Sequence, residues 1–297
     1  LTPFDFLKQS IRTEFGPVKE FNKMSSFGTA KQKRLKTNES PTEEKLFKII
    51  QAPNYETRIF KHLSHHHWAR FERAHHWKTN AREVDVFGDC WSLAWTDFNS
   101  DKVSVQTRRH KIYLNGPCIV WAPPHSIIDW RFRGGAIFWQ AVLSNLRLPP
   151  TLPLRACIYN RESNLVLPND LIEVEELLKY CTVREFIDKE ESSSSVSKRC
   201  KDFMDRHWRE SYSIEEISQR LGYNQSVMDR SFKSCYGLSP QQYRNRKRVL
   251  DSAHALILEN AKVTDMALDV GFSGLENFSK QFKKLFRIPP SKFSQAT

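Results

Sequence analysis

The segment Ile217-Ser218-Gln219-Arg220-Leu221-Gly222-Tyr223 is echoed 49 residues later by Met266-Ala267-Leu268-Asp269-Val270-Gly271-Phe272. This internal repeat constrains the fold more tightly than any other feature of the chain. Each copy continues into an amphipathic stretch ending in Phe-Lys, at Phe232-Lys233 and Phe282-Lys283, with one extra residue in the second turn. Each unit therefore reads as helix, glycine-containing turn, helix. A glycine closing the first helix accepts positive φ without steric cost. The small residues Ser218 and Ala267 let the paired helices approach closely, and the aromatic after each glycine packs under the second helix. Ser213-Ile214-Glu215-Glu216 reads as a capping box. Ser239-Pro240 reads as a cap followed by proline at the first helical position. The helix it opens runs to about residue 259 and is roughly 30 Å long. That length roughly matches the ~34 Å between successive major grooves on one face of DNA.

The second helix of each unit carries two distinct faces. In the first, Met228, Phe232 and Tyr236 point inward and leave Gln225, Ser226, Asp229, Arg230 and Lys233 outward. In the second, Phe278, Phe282, Leu285 and Phe286 point inward and leave Leu275, Glu276, Asn277, Lys280, Lys283 and Lys284 outward. Such outward sets suit a major groove. Arg or Lys reads guanine, Asn or Gln reads adenine, and Leu meets the thymine methyl. Asp229 and Glu276 repel phosphate but can accept from cytosine N4. Only part of each set is expected to reach base edges, because most such hydrogen bonds go to phosphate and sugar.

Residues 198–297 resemble the DNA-binding domain of the AraC/XylS family of bacterial transcription regulators. The resemblance rests on Ile217–Gly222, Arg230, Phe232-Lys233, Gly237-Leu238-Ser239-Pro240, Tyr243, Arg248, Leu256, Ala267, Val270-Gly271-Phe272, Phe278-Ser279, Phe282-Lys283 and Pro290. It implies a seven-helix domain with two helix-turn-helix units joined by a long helix. It also implies double-stranded DNA as partner and activation through RNA polymerase. The sequence departs from the family where Ser218 and Ser252 stand in place of the usual Ala, where Ser231 replaces an apolar residue, and at Glu276.

The preceding part of the chain differs in character. Seven of the eight Trp lie between Trp68 and Trp139. The pieces Cys90–Phe98, Val103–Tyr113, Cys118–Ala122, Ile127–Phe132 and Ala136–Leu143 are rich in β-branched and aromatic residues and are separated by turn signals. They predict short antiparallel strands. Residues 85–160 resemble, more weakly, the cupin-like effector domains of the same family. If so, a barrel encloses a pocket, for which Trp91, Trp95, Trp121, His125, Trp130 and Trp139 are the candidate effector-binding residues. A Trp-rich core without ligand is the alternative. Residues 170–190 read as helix. The polar run 31–45 and the serines at 192–195 read as a poorly ordered lead-in and a linker.

The domain reading is thus a lead-in at 1–50, a β-rich sensing or dimerisation domain at 51–190, a Ser-rich linker at 191–197 and a helical DNA-binding domain at 198–297. The fold class is α+β multidomain, with a cupin-like barrel followed by an all-α domain. Net charge is +12. Residues 196–297 hold 18 Lys and Arg against 11 Asp and Glu, a basic density that fits a nucleic-acid partner.

Other classes are excluded or weakened. The longest apolar run, residues 136–143, is far short of a membrane span, and no secretory signal is visible. The six Cys lack paired spacing and read as buried thiols of a cytosolic protein. His62, His65, His66, His67, His75 and His76 form a His-rich stretch without acidic or Cys partners at ligand spacing. It reads as a solvated surface segment, with no metal and no cofactor. No nucleophile elbow, P-loop or dinucleotide fingerprint occurs, so an enzyme is not expected. The leading reading is a cytoplasmic, nucleoid-associated DNA-binding regulator. Its N-terminal domain takes a small-molecule effector or forms a homodimer, with no membrane partner. The alternatives are an N-terminal domain that binds a protein, and a cupin-type enzyme fused to a DNA-binding tail.

Overall fold

The computed structural model describes residues 44–52, 55–65, 67–77, 79–98, 101–107, 110–187, 195–259 and 261–294. Most of the expected lead-in, His66 and most of the Ser-rich linker lie outside the described residues. Twelve strands come first: β1 (Glu44–Ala52), β2 (Tyr55–His62), β3 (Trp68–Trp77), β4 (Ala81–Val86), β5 (Trp91–Phe98), β6 (Val103–Gln106), β7 (Lys111–Tyr113), β8 (Gly116–Ala122), β9 (Ile127–Phe132), β10 (Gly135–Ser144), β11 (Cys157–Asn160) and β12 (Thr182–Phe186). Helix α1 (Leu171–Lys179) interrupts them before β12. The rest is helical: α2 (Val196–His207), α3 (Ile214–Arg220), α4 (Gln225–Tyr236), α5 (Pro240–Leu258), α6 (Val263–Asp269), α7 (Leu275–Phe286) and α8 (Pro290–Ser294).

The strands form two antiparallel sheets. One has eight strands in the order β1-β2-β3-β10-β5-β8-β11-β12, and the other has four in the order β4-β9-β6-β7. Side-chain alternation along each strand divides the apolar residues between two cores. Ala94 and Phe98 of β5, Val120 of β8 and Ala141 of β10 meet Val103, Val105, Ile128 and Phe132 of the smaller sheet. On the opposite face of the larger sheet, Trp91, Leu93, Trp95, Ile119, Trp121 and Val142 pack beneath Val174, Leu177 and Leu178 of α1.

Two differences from the sequence reading have clear causes. Strand β1 takes residues 44–52, so the lead-in does not extend to residue 50. Its polar residues hide the pairing, which runs from Glu44↔His62 to Ala52↔Tyr55 across a bulge at Leu46/Lys48. The helix read over 170–190 stops at Lys179. The β-branched and aromatic run Thr182–Phe186 instead pairs with β11 at the sheet edge.

The β-rich and helical regions share two further cores. Val84, Val86 and Ile127 join Met204, Ile217, Met228, Phe232 and Tyr243 around the first repeat unit. Ile50, Ile59 and Ala69 join Val249, Ala253, Leu256, Phe272, Phe278 and Phe282 around the second. Between them sits a buried ionic cluster. Lys247 of α5 is 0% exposed and donates to Asp205 of α2 at 2.5 Å. Lys201 binds the same carboxylate at 2.7 Å, as does the Tyr243 hydroxyl at 2.5 Å. Burial alone would raise the Asp205 carboxyl, but the two ammonium groups overturn that and hold it at about 2. Burial pushes the Lys247 ammonium down to about 8 against the pull of Asp205.

Asp205→Ala would strand Lys247 without its carboxylate and is expected to cost about 3–5 kcal/mol, read as a lower urea midpoint for the full chain. Asp205 is ionised well below the ordinary carboxylate value. Its contribution in the parent protein should therefore persist through pH 4 and fade as pH falls through about 2.

Candidate nucleic-acid interface

The repeat becomes two units of matching helix lengths. Helices α4 and α7 are each 12 residues long and begin 50 residues apart, at Gln225 and Leu275. Each ends in a left-handed residue, Gly237 at φ 71° and Arg287 at φ 61°. The first unit is held by side-chain caps. Ser213 and Glu216 form a reciprocal capping box on α3, and Asn224 Oδ1 accepts from Ser226 N–H at the start of α4. Ser239 and Gln242 form a second capping box on α5. Helices α6 and α7 have no side-chain cap hydrogen bond. Their unit relies instead on aromatic packing, with Phe282 centred 5.5 Å from Phe278, 4.8 Å from Phe286 and 5.1 Å from Phe293.

The outward sets fall where the periodicity places them. On α4, Gln225, Ser226, Arg230 and Lys233 are exposed and Asp229 is half-buried. Arg230 Nε donates to the Ser226 carbonyl at 3.2 Å, which lays the guanidinium along the helix surface. On α7, Leu275, Glu276, Asn277, Lys280, Lys283 and Lys284 are all exposed. Met228, Phe232, Phe278 and Phe282 are fully buried beneath them.

Sequence reasoning did not find a concavity beside the first unit. It has a volume of about 550 Å³ and is bounded by Tyr212, Ser213, Gln225, Asp229, Gln241 and Arg244 among others. The Arg244 guanidinium is committed to the Tyr212 carbonyl and to Gln241 Oε1. The two Ser-led capping boxes are the signal that two helix starts meet here.

The candidate effector residues are dispersed. Trp91 and Trp121 are 0% exposed and donate to the Leu146 and Pro153 carbonyls at 2.9 and 2.8 Å. Trp95 lies under the Arg161 guanidinium at 4.0 Å. These three belong to the core beneath α1, because alternation turns them away from the space between the sheets. His125 lies in the β8–β9 turn at φ 65°. Its carbonyl accepts from Lys201 at 2.9 Å, so it joins the turn to α2. Only Trp130 and Trp139 line the inter-sheet cavity, together with Glu83, Asp85, Thr96, Phe98 and Phe132.

The His-rich stretch is likewise not one solvated segment. His75 is 1% exposed and stacks on Phe132 and Trp139 at 5.5 and 6.1 Å, because it falls on the inward face of β3. His62 Nδ1 accepts from the amides of Ser64 and His65 in a surface turn. Among the described residues no three His, Cys, Asp or Glu side chains gather as a metal site. None of the described helices is long and apolar enough to cross a membrane.

Two glycine-turn units on one long helix define a double helix-turn-helix module for duplex DNA. The helix-turn-helix domain family matches residues 207–296. The chain is 33% identical over 86 residues to the probable transcription factor PqrA of Proteus vulgaris, a match covering 29% of this chain and 70% of PqrA. It is 26% identical over 93 residues to the regulator ExsA of Pseudomonas aeruginosa, covering 31% of this chain and 34% of ExsA. The match thus spans about a third of ExsA's length. Among solved structures, ToxT of Vibrio cholerae aligns over 81% of this chain and 98% of that one, at 11% identity and TM-score 0.47. The chain belongs to the AraC/XylS family of DNA-binding transcription regulators.

The two turn glycines should respond differently to substitution. Gly222 has φ 73°, and a Cβ there meets nothing within 4 Å, so Gly222→Ala should cost only the left-handed strain of ~1–2 kcal/mol. Gly271 has φ 86°, and a Cβ would lie 1.9 Å from the Arg209 carbonyl oxygen. Gly271→Ala should therefore lower the thermal midpoint markedly more than Gly222→Ala.

Proposed function

We propose that this protein regulates transcription by reading two adjacent major grooves with α4 and α7, under the control of its β-rich region. The observation that carries this reading is the arrangement of covered and uncovered faces. The β-rich region packs against Ile217, Met228 and Tyr243 of one unit and Val249, Leu256 and Phe278 of the other. It leaves the outward sets of both recognition helices exposed, except for half-buried Asp229. The exposed groups suit this role. Arg230 and Lys233 outnumber Asp229 on α4, and Lys280, Lys283 and Lys284 outnumber Glu276 on α7. In this reading the protein is an activator that acts on the nucleoid through RNA polymerase and has no catalytic role.

Control by the β-rich region is supported by its polar attachments to the DNA-binding module. Arg82 pairs with Asp129 and also donates to the Gly237 carbonyl at 3.3 Å. Arg209 bridges Asp89 and Asp251 at 2.7 and 3.1 Å. Tyr55 donates to the Phe286 carbonyl at 3.0 Å. A change between the sheets is thereby mechanically linked to both units. Trp130 and Trp139 are the effector contacts in this reading. A protein-binding role for the same region is favoured by one observation, the exposure of Leu154, Ile172 and Tyr180 at 77, 70 and 79%.

Selection of binding sites from a randomised DNA library by the full chain tests the reading directly, since a protein that enriches no sequence is not such a regulator. On a selected site, Arg230→Ala should cost ~1–3 kcal/mol and relax preference at one or two base pairs, because Arg grips guanine with two hydrogen bonds. Lys280→Ala should weaken all sequences more evenly and reduce the salt slope by about one, as loss of a phosphate contact does. Affinities for single-base variants at two salt concentrations separate the two effects. Uniform weakening by Arg230→Ala would make Arg230 a phosphate contact.

A further inference from the structure

The inter-sheet cavity has an unusual chemistry for the interior of a β protein. Glu83 and Asp85 stand two residues apart on β4, so both face inward, while Val84 and Val86 between and beyond them pack on the helical region. The cavity they share is about 20 Å³, room for one water-sized group. Its remaining walls are chiefly aromatic, from Trp130, Trp139, Phe98 and Phe132.

The carboxylates have few partners of their own. Asp85 accepts from Trp130 Nε1 at 2.8 Å, and no hydrogen bond from a described residue reaches its other oxygen. The Glu83 carboxylate accepts no hydrogen bond from any described residue. Its ionic partner is Arg73 Nη1 at 3.6 Å, beyond hydrogen-bond length. The Arg73 guanidinium lies over the rings of Trp139 and Tyr55 at 5.1 and 4.9 Å. The protein thus already places one cation of its own against this aromatic wall. Glu83 also keeps 33% of its side-chain surface accessible.

We propose that the cavity receives the head of a primary organic ammonium ion, with Glu83, Asp85 and Thr96 Oγ1 as acceptors and Trp130 and Trp139 as cation–π walls. The proposal names the ligand class for the sensing role advanced above and rests on it. Size and donor count carry the choice. An ammonium head is about as large as a water molecule and has three donors, matching the volume and the three acceptors. Its positive charge is favoured by ring faces. A quaternary ammonium has no donor and is too wide, whereas an organic carboxylate would meet two like charges. Burial raises both carboxyls from their ordinary values; at Glu83 Arg73, Arg287 and Arg246 act against it and the Asp85 charge adds to it, and at Asp85 the Trp130 hydrogen bond, Arg73 and Arg246 act against it. Nearby His75 is held neutral by burial. Ionised carboxylates bind the ammonium and protonated ones do not, so affinity should rise with pH.

The test is calorimetric titration of the full chain with n-butylammonium, tetramethylammonium, n-butanol and butyrate, at pH 7.5 and pH 5. Butylammonium should bind, and should bind more weakly at pH 5. The near-isosteric variants Glu83→Gln and Asp85→Asn should each weaken it at least tenfold while keeping the parent thermal unfolding transition. Absence of butylammonium binding, or binding unaffected by either substitution, overturns the proposal. Butyrate or butanol binding in its place overturns the ligand class and leaves the sensing role standing. Ammonium binding that leaves affinity for a selected DNA site unchanged supports the site and overturns the sensing role.

Discussion

The ion pair between Lys247 and Asp205 sits where α5, α2 and the β8–β9 turn meet. It joins α5 to α2, and through Lys201 it reaches the His125 carbonyl in the β8–β9 turn. A charged lysine with no exposed surface needs a carboxylate in contact, since the isolated charge would lose its hydration without return. Asp205 accepts two ammonium groups and one phenol, so nearly every acceptor direction is used. This saturation fixes the cluster beside the core of the first unit, which Tyr243 enters. The helical region then docks on the β-rich region in one orientation, with apolar contacts on either side of the cluster.

Helix α5 is the spine on which that docking is built. Its Tyr243 enters the core around the first unit, and Val249, Ala253 and Leu256 enter the core around the second. The two units are held differently. The first has capping boxes and an Asn cap, and the second has an aromatic cluster in their place. Local hydrogen bonds satisfy helix ends independently of neighbours, whereas aromatic packing depends on neighbouring elements being present. Strands β1–β3 cover the core of the second unit through Ile50, Ile59 and Ala69.

In the β-rich region a single parity rule separates structural aromatics from those at the cavity. Odd positions 91, 93 and 95 of β5 turn toward α1, and even positions 94, 96 and 98 turn inward. Pairing of Leu93 with Val142 and of Ala94 with Ala141 carries that parity to β10 and places Trp139 inward. Glu83 and Asp85 went unnoticed in the sequence because a charged pair on a short strand reads as a solvated edge. Their depth follows from the strand's position, with β9 beside it and α5 against its other face.

By itself the sequence determined the repeat, the cap residues, the glycine turns and the inward and outward faces of α4 and α7. All of these depend on contacts within a few residues and on helical periodicity. It also determined most strands between Cys90 and Leu143, through β-branched and aromatic runs broken by turn residues. Only the tertiary structure decided which Trp share a core, that Thr182–Phe186 pairs as a strand, and that the segment Glu44–Ala52 belongs to the larger sheet. Each of these depends on the register and face of a partner strand far away in the chain, and a shift of one residue would reverse it. Docking of the two regions is of the same kind. Residues such as Ile59, Val86 and Lys247 become buried only because another part of the chain arrives to cover them.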